Sequence, residues 1–201
     1  NGSASGFYAL INGSIVRVID STQTLPGTNV KFSESEGSGI TPGAISGGRV
    51  AFFSNGGYYG MNTDGTLTPL ATTSDTPPGS TQKFVITFGL GLNPDGSYLF
   101  TGQTSTGFGV YYSPSFTSAD YTRLIGDGDQ LNGKTIKEVQ TLPFSLSGND
   151  FVIDVSFTDG SSGIYEGILP ATSVPEPSSV VLLLVGVGAV VTFRCRARLA
   201  Q

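Results

Sequence analysis

The four residues "GYYG", Gly57 to Gly60, belong to a short phrase that recurs along the chain and sets its organisation. A glycine, an apolar or aromatic residue and then a tyrosine occur together four times, and the spacings between the glycines are 51, 52 and 54 residues. The phrases are "GFYA" at Gly6, "GYYG" at Gly57, "GVYY" at Gly109 and "GIYE" at Gly163. Self-similarity at a period of this length is typical of proteins built from repeated supersecondary units.

Each repeat is predicted to contain four short β-strands. An apolar segment follows each of the first three phrases, then a turn, a β-like run, a second turn and a hydrophobic strand. Asp-Gly pairs, which favour tight turns, occur at residues 64–65, 95–96 and 159–160. The apolar segments are Ser14–Asp20, Thr66–Ala71 and Tyr121–Gly126, the β-like runs are residues 30–34, 83–88 and 135–140, and the closing strands lie within residues 46–54, 93–102 and 147–157.

Four antiparallel strands at this period are typical of a β-propeller blade. The predicted fold class is therefore all-β, with propeller-like repeats of about 52 residues, three four-stranded units plus a strand, followed by one C-terminal hydrophobic helix. A β-sandwich with similar hairpins is the alternative. Three units are too few to close a ring, so we expect either further blades before Asn1 or an open arc. We favour further blades, because an arc leaves two bare sheet edges.

The composition excludes several kinds of chemistry. The chain has no histidine, and its one cysteine, Cys195, lies near the C-terminus. Residues 1–173 therefore cannot hold a Ser-His-Asp triad, a cysteine nucleophile or a zinc site made of thiolates and imidazoles. These residues carry seven basic and fourteen acidic groups, so nucleic acid is not an expected partner. No cofactor is expected, and the chain is not predicted to be an enzyme.

The tyrosine of the recurring phrase permits two interpretations. The first is packing, because an aromatic residue at the start of a strand commonly fills the space between sheets. The second is a ring of tyrosines that stacks on the sugar faces of a carbohydrate ligand. The residues concerned are Tyr8, Tyr59, Tyr111 and Tyr165.

The segment "GDGDQLNG", Gly126 to Gly133, is the most organised acidic cluster. Asp127, Asp129 and Asn132 offer oxygen atoms to a hard cation such as Ca²⁺, but the spacing does not fit an EF-hand loop. A polar turn between two strands is the favoured interpretation, so these residues are only weak metal candidates. Asn1 and Asn12 each begin an Asn-Gly-Ser glycosylation sequon, which is a weak signal.

A carbohydrate-active enzyme is the rival class of function. Glycosidases need two carboxyl groups about 5–10 Å apart across a cleft. The candidates by residue type are Asp127, Asp129, Asp150, Asp154, Asp159 and Glu166.

The C-terminus combines three features in a fixed order. The motif Val174-Pro175-Glu176-Pro177-Ser178 is followed by an apolar run over residues 180–193 and then by the basic residues Arg194, Arg196 and Arg198. A helix over the apolar run would span about 21 Å, which is short of the roughly 30 Å hydrocarbon core of a bilayer. Flanking residues extend it to a marginal transmembrane span, and the arginines predict a cytoplasmic end.

These three features, in this order at the end of the chain, resemble the PEP-CTERM sorting signal of exopolysaccharide-producing Gram-negative bacteria. The resemblance implies that an exosortase-type enzyme cuts the chain near Pro-Glu-Pro. It also implies transient residence in the bacterial inner membrane, and then release or transfer of the body to the outer surface or extracellular matrix. The phrases "GDQLNGKTIKEV" and "FTDGSSGIYEG" are similar to propeller-like domains found before such tails, which bring no established activity with them.

The chain is therefore divided into four parts: a β-repeat domain over residues 1–169, a linker with the Pro-Glu-Pro motif over 170–179, a transmembrane sorting helix over 180–193 and a basic cytoplasmic tail over 194–201. The predicted function is that of a non-enzymatic protein of the envelope or exopolysaccharide matrix. Its partners are the processing enzyme, the membrane before cleavage and, as a possible ligand, exopolysaccharide. The alternatives are a carboxylate-based glycosidase or lyase, a plain tail-anchored membrane protein and a structural spacer.

Overall fold

A computed structural model describes residues 5–32, 42–117 and 120–169 of the chain. These residues form fourteen β-strands and no helix. The strands are β1 Gly6–Ile11, β2 Ser14–Asp20, β3 Pro42–Ser46, β4 Arg49–Ser54, β5 Gly57–Met61, β6 Leu67–Ala71, β7 Ile86–Leu92, β8 Tyr98–Thr104, β9 Gly107–Ser113, β10 Thr122–Gly126, β11 Gln130–Leu131, β12 Lys134–Ser147, β13 Asp150–Phe157 and β14 Ser162–Ile168.

The strands pair with their neighbours in the sequence to give antiparallel meanders. A hairpin sheet is formed by β1 and β2, and three four-stranded sheets follow: the first sheet has the order β3-β4-β5-β6, the second β10-β9-β8-β7 and the third β11-β12-β13-β14. All of these pairings are antiparallel. The all-β prediction is confirmed for the described residues.

The sheet boundaries fall inside the sequence repeat rather than at its ends. The recurring phrase lies at the start of β5 in the first sheet and within β9 in the second. Counted along the sequence, each of these is the third strand of its sheet. A unit counted from one phrase to the next therefore contributes strands to two sheets. The predicted β-like run over residues 30–34 does not form one of the fourteen strands in its described part. Lys31 makes only an isolated bridge with Thr24, and residues 33–41 lie outside the described part.

Asn-Gly pairs form three of the two-residue hairpin turns among the described residues. Asn55 and Gly56 join β4 to β5 with φ angles of 48° and 75°. Positive φ at both central residues is the signature of a type I′ turn, whose twist matches the twist of paired strands. Asn12-Gly13 and Asn132-Gly133 have the same signs, so the sequon at Asn12 is also an exposed hairpin turn.

At the first two phrases the glycine is needed because the neighbouring strand approaches too closely for a side chain. A Cβ atom on Gly57 would lie 2.9 Å from the carbonyl oxygen of Ala71, and one on Gly6 would lie 2.9 Å from the carbonyl oxygen of Ile19. The register of both strand pairs shifts within two residues of that glycine, after Tyr58 and after Phe7. At these two phrases the glycine therefore permits a bulge, whereas the pairing around Gly163 has no register shift.

Consecutive sheets bury their faces against one another. Three clusters of buried apolar side chains lie between the hairpin sheet and the first sheet, between the first and second sheets, and between the second and third sheets. The largest fully buried side chains in them include Phe52, Tyr59, Tyr98, Phe100 and Phe157. Each four-stranded sheet is therefore stabilised mainly by the sheets beside it.

Threonine side chains link the second sheet to the third. The Thr141 backbone N–H donates to Oγ1 of Thr101 at 2.6 Å, and the two hydroxyl oxygens are 2.9 Å apart. The Thr141 hydroxyl donates to the carbonyl oxygen of Gly89, so the Thr101 hydroxyl is the donor between the two side chains. Both threonines are buried, which means that no water can replace these bonds.

Tyrosine hydroxyls link the first sheet to the second. The Tyr98 hydroxyl oxygen lies 2.7 Å from the Leu70 carbonyl oxygen, and the Tyr121 hydroxyl donates to that same carbonyl oxygen. The Leu90 N–H donates to the Tyr58 hydroxyl oxygen at 3.3 Å. These bonds satisfy polar groups that the packing of the sheets removes from water.

Several predictions from the sequence lie outside the described residues. The linker over 170–179, the helix over 180–193, the basic tail, the five residues of the sorting motif and the sequon at Asn1 are among them. A search of the described residues found no helix with the length and hydropathy needed to cross a membrane. Closure of the sheets into a propeller stays a prediction.

Replacing Thr141 by valine should lower the free energy of unfolding by about 1–3 kcal/mol, because the buried Thr101 O–H would lose its acceptor and the Gly89 carbonyl oxygen would lose the Thr141 hydroxyl donor. Urea unfolding followed by circular dichroism measures this difference. Thr122→Val is the matched control, since Thr122 is exposed on β10 and its loss should change stability by less than about 0.5 kcal/mol. Equal effects of the two substitutions would contradict the assigned hydrogen bonds.

The stability of the protein should be constant at neutral pH and fall above pH 10. Burial raises the pKa of Tyr98 and Tyr121 above the ordinary tyrosine value of 10.0. Above that pH the unfolded chain releases phenolic protons that the folded chain retains, which favours unfolding by roughly 1.4 kcal/mol per pH unit for each such group. Denaturant midpoints between pH 8 and 11 test this, and Tyr98→Phe should make the decline less steep. A midpoint that stays level up to pH 11 would refute the prediction.

Candidate functional site

The four tyrosines of the phrase do not share one environment. Tyr59 and Tyr111 are 1% and 4% exposed, Tyr165 is half-buried, and Tyr8 is 53% exposed. Tyr59 stacks on Phe52 and Tyr111 stacks on Phe100, with ring centroids 5.9 and 5.4 Å apart. The packing interpretation therefore describes Tyr59 and Tyr111, whose ring faces are not available to stack on a sugar. A ring of four exposed tyrosines is not formed.

A cavity of about 160 Å³ opens at one end of the second sheet. It lies beside the turn between β8 and β9, against β10 and the loop that follows β10. Its lining is mainly polar, with Pro78 and Phe108 as the larger apolar members. The other lining residues are Gly79, Ser80, Thr104, Thr106, Gly107, Tyr111, Arg123 and Asp127.

Asp127 is the acidic group of this cavity. One carboxylate oxygen, Oδ2, accepts a hydrogen bond of 2.9 Å from the backbone N–H of Phe108. The other oxygen, Oδ1, is buried and has no partner in the structure. Burial raises the pKa of Asp127, and the Phe108 N–H opposes this effect. The turn glycine Gly107 leaves room for the carboxylate, because a Cβ atom there would lie 2.6 Å from Oδ2.

Tyr111 and Arg123 lie directly across the sheet from each other, on β9 and β10. Tyr111 packs in the core and is also one of the residues that line the cavity. Burial raises the pKa of this phenol, while the charge of Arg123 lowers it and that of Asp127 raises it. One guanidinium nitrogen of Arg123 donates to Asp129 at 2.8 Å. The cavity therefore brings a phenol, a guanidinium group and a carboxylate together.

The three weak metal candidates have different surroundings. Oδ2 of Asp129 accepts bonds from the Gly126 N–H and from Arg123, and Asn132 occupies the hairpin turn before β12. No group of three acidic, cysteine or histidine side chains positioned to hold a metal ion occurs among the described residues. Asp127 thus contributes to a cavity, and the segment as a whole forms the predicted polar turn.

Two of the carboxylates proposed for glycoside hydrolysis share one face of the third sheet. Val152 pairs with Glu166 and Asp154 pairs with Ile164, so the two acids are diagonal neighbours on adjacent strands, a placement that usually separates residues by about 7–8 Å. Glu166 is exposed and Asp154 is half-buried. Asp159 instead accepts bonds from Ser161 in a turn and pairs with Lys134. The enzymatic alternative stays a prediction.

Sequence reasoning missed most of the cavity. The sequence singled out Tyr111 and Asp127 for different reasons, but it did not connect them to each other or to Arg123. The register of β9 and β10 makes that connection, because it places Arg123 opposite Tyr111. The separation of 16 residues between Tyr111 and Asp127 carries no recognisable motif.

Comparison with known proteins identifies the C-terminal segment. Residues 173–198 match the PEP-CTERM protein-sorting motif. The motif is the signal of a protein that an exosortase processes and that passes through the membrane to the cell surface. The match covers only the end of the chain and assigns nothing to the β-repeat body. No match was found among curated proteins or among solved structures.

Proposed function

We propose that this chain is a non-enzymatic protein of the bacterial envelope or exopolysaccharide matrix, with propeller-like β repeats as its working part. The observation that carries this proposal is the sorting motif at residues 173–198. In this view the membrane holds the protein only during transit, through the apolar run over residues 180–193. An exosortase then cuts near Pro175–Pro177 and leaves the body at the outer surface or in the matrix.

The chemistry of the motif supports cleavage at this point. Proline fixes φ and disfavours a helical residue before it, so Pro175 and Pro177 keep the segment extended beside the apolar run. A protease binds an extended segment more readily than a helix. The positive charges at Arg194, Arg196 and Arg198 favour a cytoplasmic end, which puts the body on the opposite side of the membrane.

The body supports a binding role more than a catalytic one. It has no histidine or cysteine between Asn1 and Ser173, and its polar cavity has one carboxylate, Asp127, rather than two. Polysaccharide is the proposed partner in the matrix, because such a polar surface presents hydroxyl, amide and carboxylate groups that bond to sugar hydroxyls. A glycosidase that uses Asp154 and Glu166 is the alternative, since the two acids share one face of the third sheet.

Replacing both Pro175 and Pro177 by alanine should block removal of the tail. Intact-mass analysis of the protein recovered from the cell envelope and the medium measures this directly. The unchanged chain should lack Arg194 to Gln201, and the double variant should retain them. Pro170→Ala is the matched control, because this proline lies outside residues 173–198, and its variant should be processed normally.

Recovery of the unchanged protein with its arginine tail intact would refute processing. The chain would then be a tail-anchored membrane protein, which is the simpler alternative.

A further inference from the structure

The cavity beside β10 contains polar groups whose hydrogen-bonding capacity is not used within the described part of the chain. Arg123 has five N–H donors, and one of its nitrogens is bonded to Asp129. The carboxylate of Asp127 has about four acceptor sites. Oδ1 is enclosed by protein atoms, so the acceptor offered to a ligand is Oδ2, of which the Phe108 N–H takes one site. Tyr111 lines the same cavity. The cavity therefore has both hydrogen-bond donors and hydrogen-bond acceptors in its lining.

The hydroxyl groups at the rim are already bonded to their own loops. The Ser80 hydroxyl donates to the Gln82 carbonyl oxygen and accepts from the Gln82 N–H. The Thr104 and Thr106 hydroxyls bond to each other at 3.0 Å. These contacts shape the rim, and they leave Tyr111, Arg123 and Asp127 as the groups available to a ligand.

The first sheet shows that the fold does not require an arginine opposite the tyrosine of the phrase. Tyr59 lies opposite Pro69 in the register of β5 and β6, just as Tyr111 lies opposite Arg123 in that of β9 and β10. Pro69 can supply neither a charge nor an N–H, yet the first sheet has the same four-stranded meander. The arginine is therefore not a structural requirement of the repeat.

The charge and size of the cavity restrict the class of ligand. Asp127, Asp129 and Arg123 together carry one net negative charge, which disfavours an anion, and Arg123 disfavours a metal cation. A volume of about 160 Å³ is below the roughly 300–1,000 Å³ of sites that bury drug-sized ligands. The ligand is then small and neutral, or it is one residue of a longer polymer. It must both donate and accept hydrogen bonds.

We propose that this cavity binds one sugar residue of a neutral polysaccharide through two adjacent hydroxyl groups. Each hydroxyl donates to the Asp127 carboxylate or to the Tyr111 phenol oxygen and accepts from the Arg123 guanidinium group. Pro78 contacts the apolar C–H surface of the ring. This inference rests on the proposed function, because it assigns a site and a ligand class to the partner suggested there.

The test is a titration of the full chain, in a detergent without a sugar headgroup, with the methyl glycosides of glucose, galactose and mannose. Saturation-transfer NMR and calorimetry detect and quantify the binding. At least one glycoside should bind, and its analogue lacking one of the paired hydroxyls should bind at least tenfold more weakly, because site groups would lose their partner.

Two variants locate the binding site. Asp127→Asn keeps an oxygen for the Phe108 N–H and should preserve the fold, while removing the charge and one acceptor; Arg123→Gln removes the guanidinium donors. Each should weaken binding about tenfold or more. Asp159→Asn is the matched control, because Asp159 is an exposed carboxylate that also accepts a backbone N–H, from Ser161. Thermal melting of all three variants checks that they are folded.

The inference is overturned if none of the three glycosides binds at millimolar concentration, or if binding survives both cavity variants unchanged. This outcome is separate from failure of the proposed sorting. Normal removal of the tail without sugar binding would overturn the cavity assignment alone. Sugar binding by a protein that retains its arginine tail would overturn the sorting proposal alone.

Discussion

The structure depends on the stacking of a cross-strand phenylalanine and tyrosine pair between successive sheets. Phe52 and Tyr59 face each other across β4 and β5, and Phe100 and Tyr111 do so across β8 and β9. The planes of the paired rings differ by 27° and 24°. Such pairs bury large apolar areas and add a favourable aromatic contact. A small antiparallel sheet is marginal alone, so these buried faces stabilise each sheet through its neighbour.

This stacking buries polar groups as well, and the hydroxyl-rich composition of the chain satisfies them. Thr101 and Thr141 bond to each other across the second and third sheets, and Tyr98 and Tyr121 reach the Leu70 carbonyl oxygen of the first sheet. Threonine and tyrosine serve this purpose well because their apolar parts pack while their hydroxyls bond. The unusually low charge of the chain, 12% of its residues, agrees with a body held together by neutral hydrogen bonds rather than ion pairs.

The same packing positions the candidate site. The ring of Tyr111 is held against Phe100 in the core, which fixes the position of this residue in the lining of the cavity. Arg123 is placed by strand register and Asp127 by its bond to the Phe108 N–H. A rigid scaffold that carries functional groups at its loops is a common arrangement for binding sites. The sorting motif occupies residues 173–198, which follow the described residues in the sequence.

The sequence by itself determined the features that depend on local chemistry. The period at Gly6, Gly57, Gly109 and Gly163 predicted repeated sheets, and Asp-Gly pairs marked turns, because backbone conformation follows from residues that are close in sequence. The order of Pro-Glu-Pro, apolar run and arginines identified the sorting signal, which is linear.

Only the tertiary structure decided how one phrase produces different environments. Tyr8 is exposed and Tyr59 is buried although their local sequences are alike, because burial depends on whether another sheet covers that face. The division of strands among sheets and the meeting of Tyr111 with Arg123 also depend on pairing between strands. Each strand pairs with its neighbour in the sequence, but the register of that pairing and the packing of one sheet on the next are not specified by composition or by a short motif.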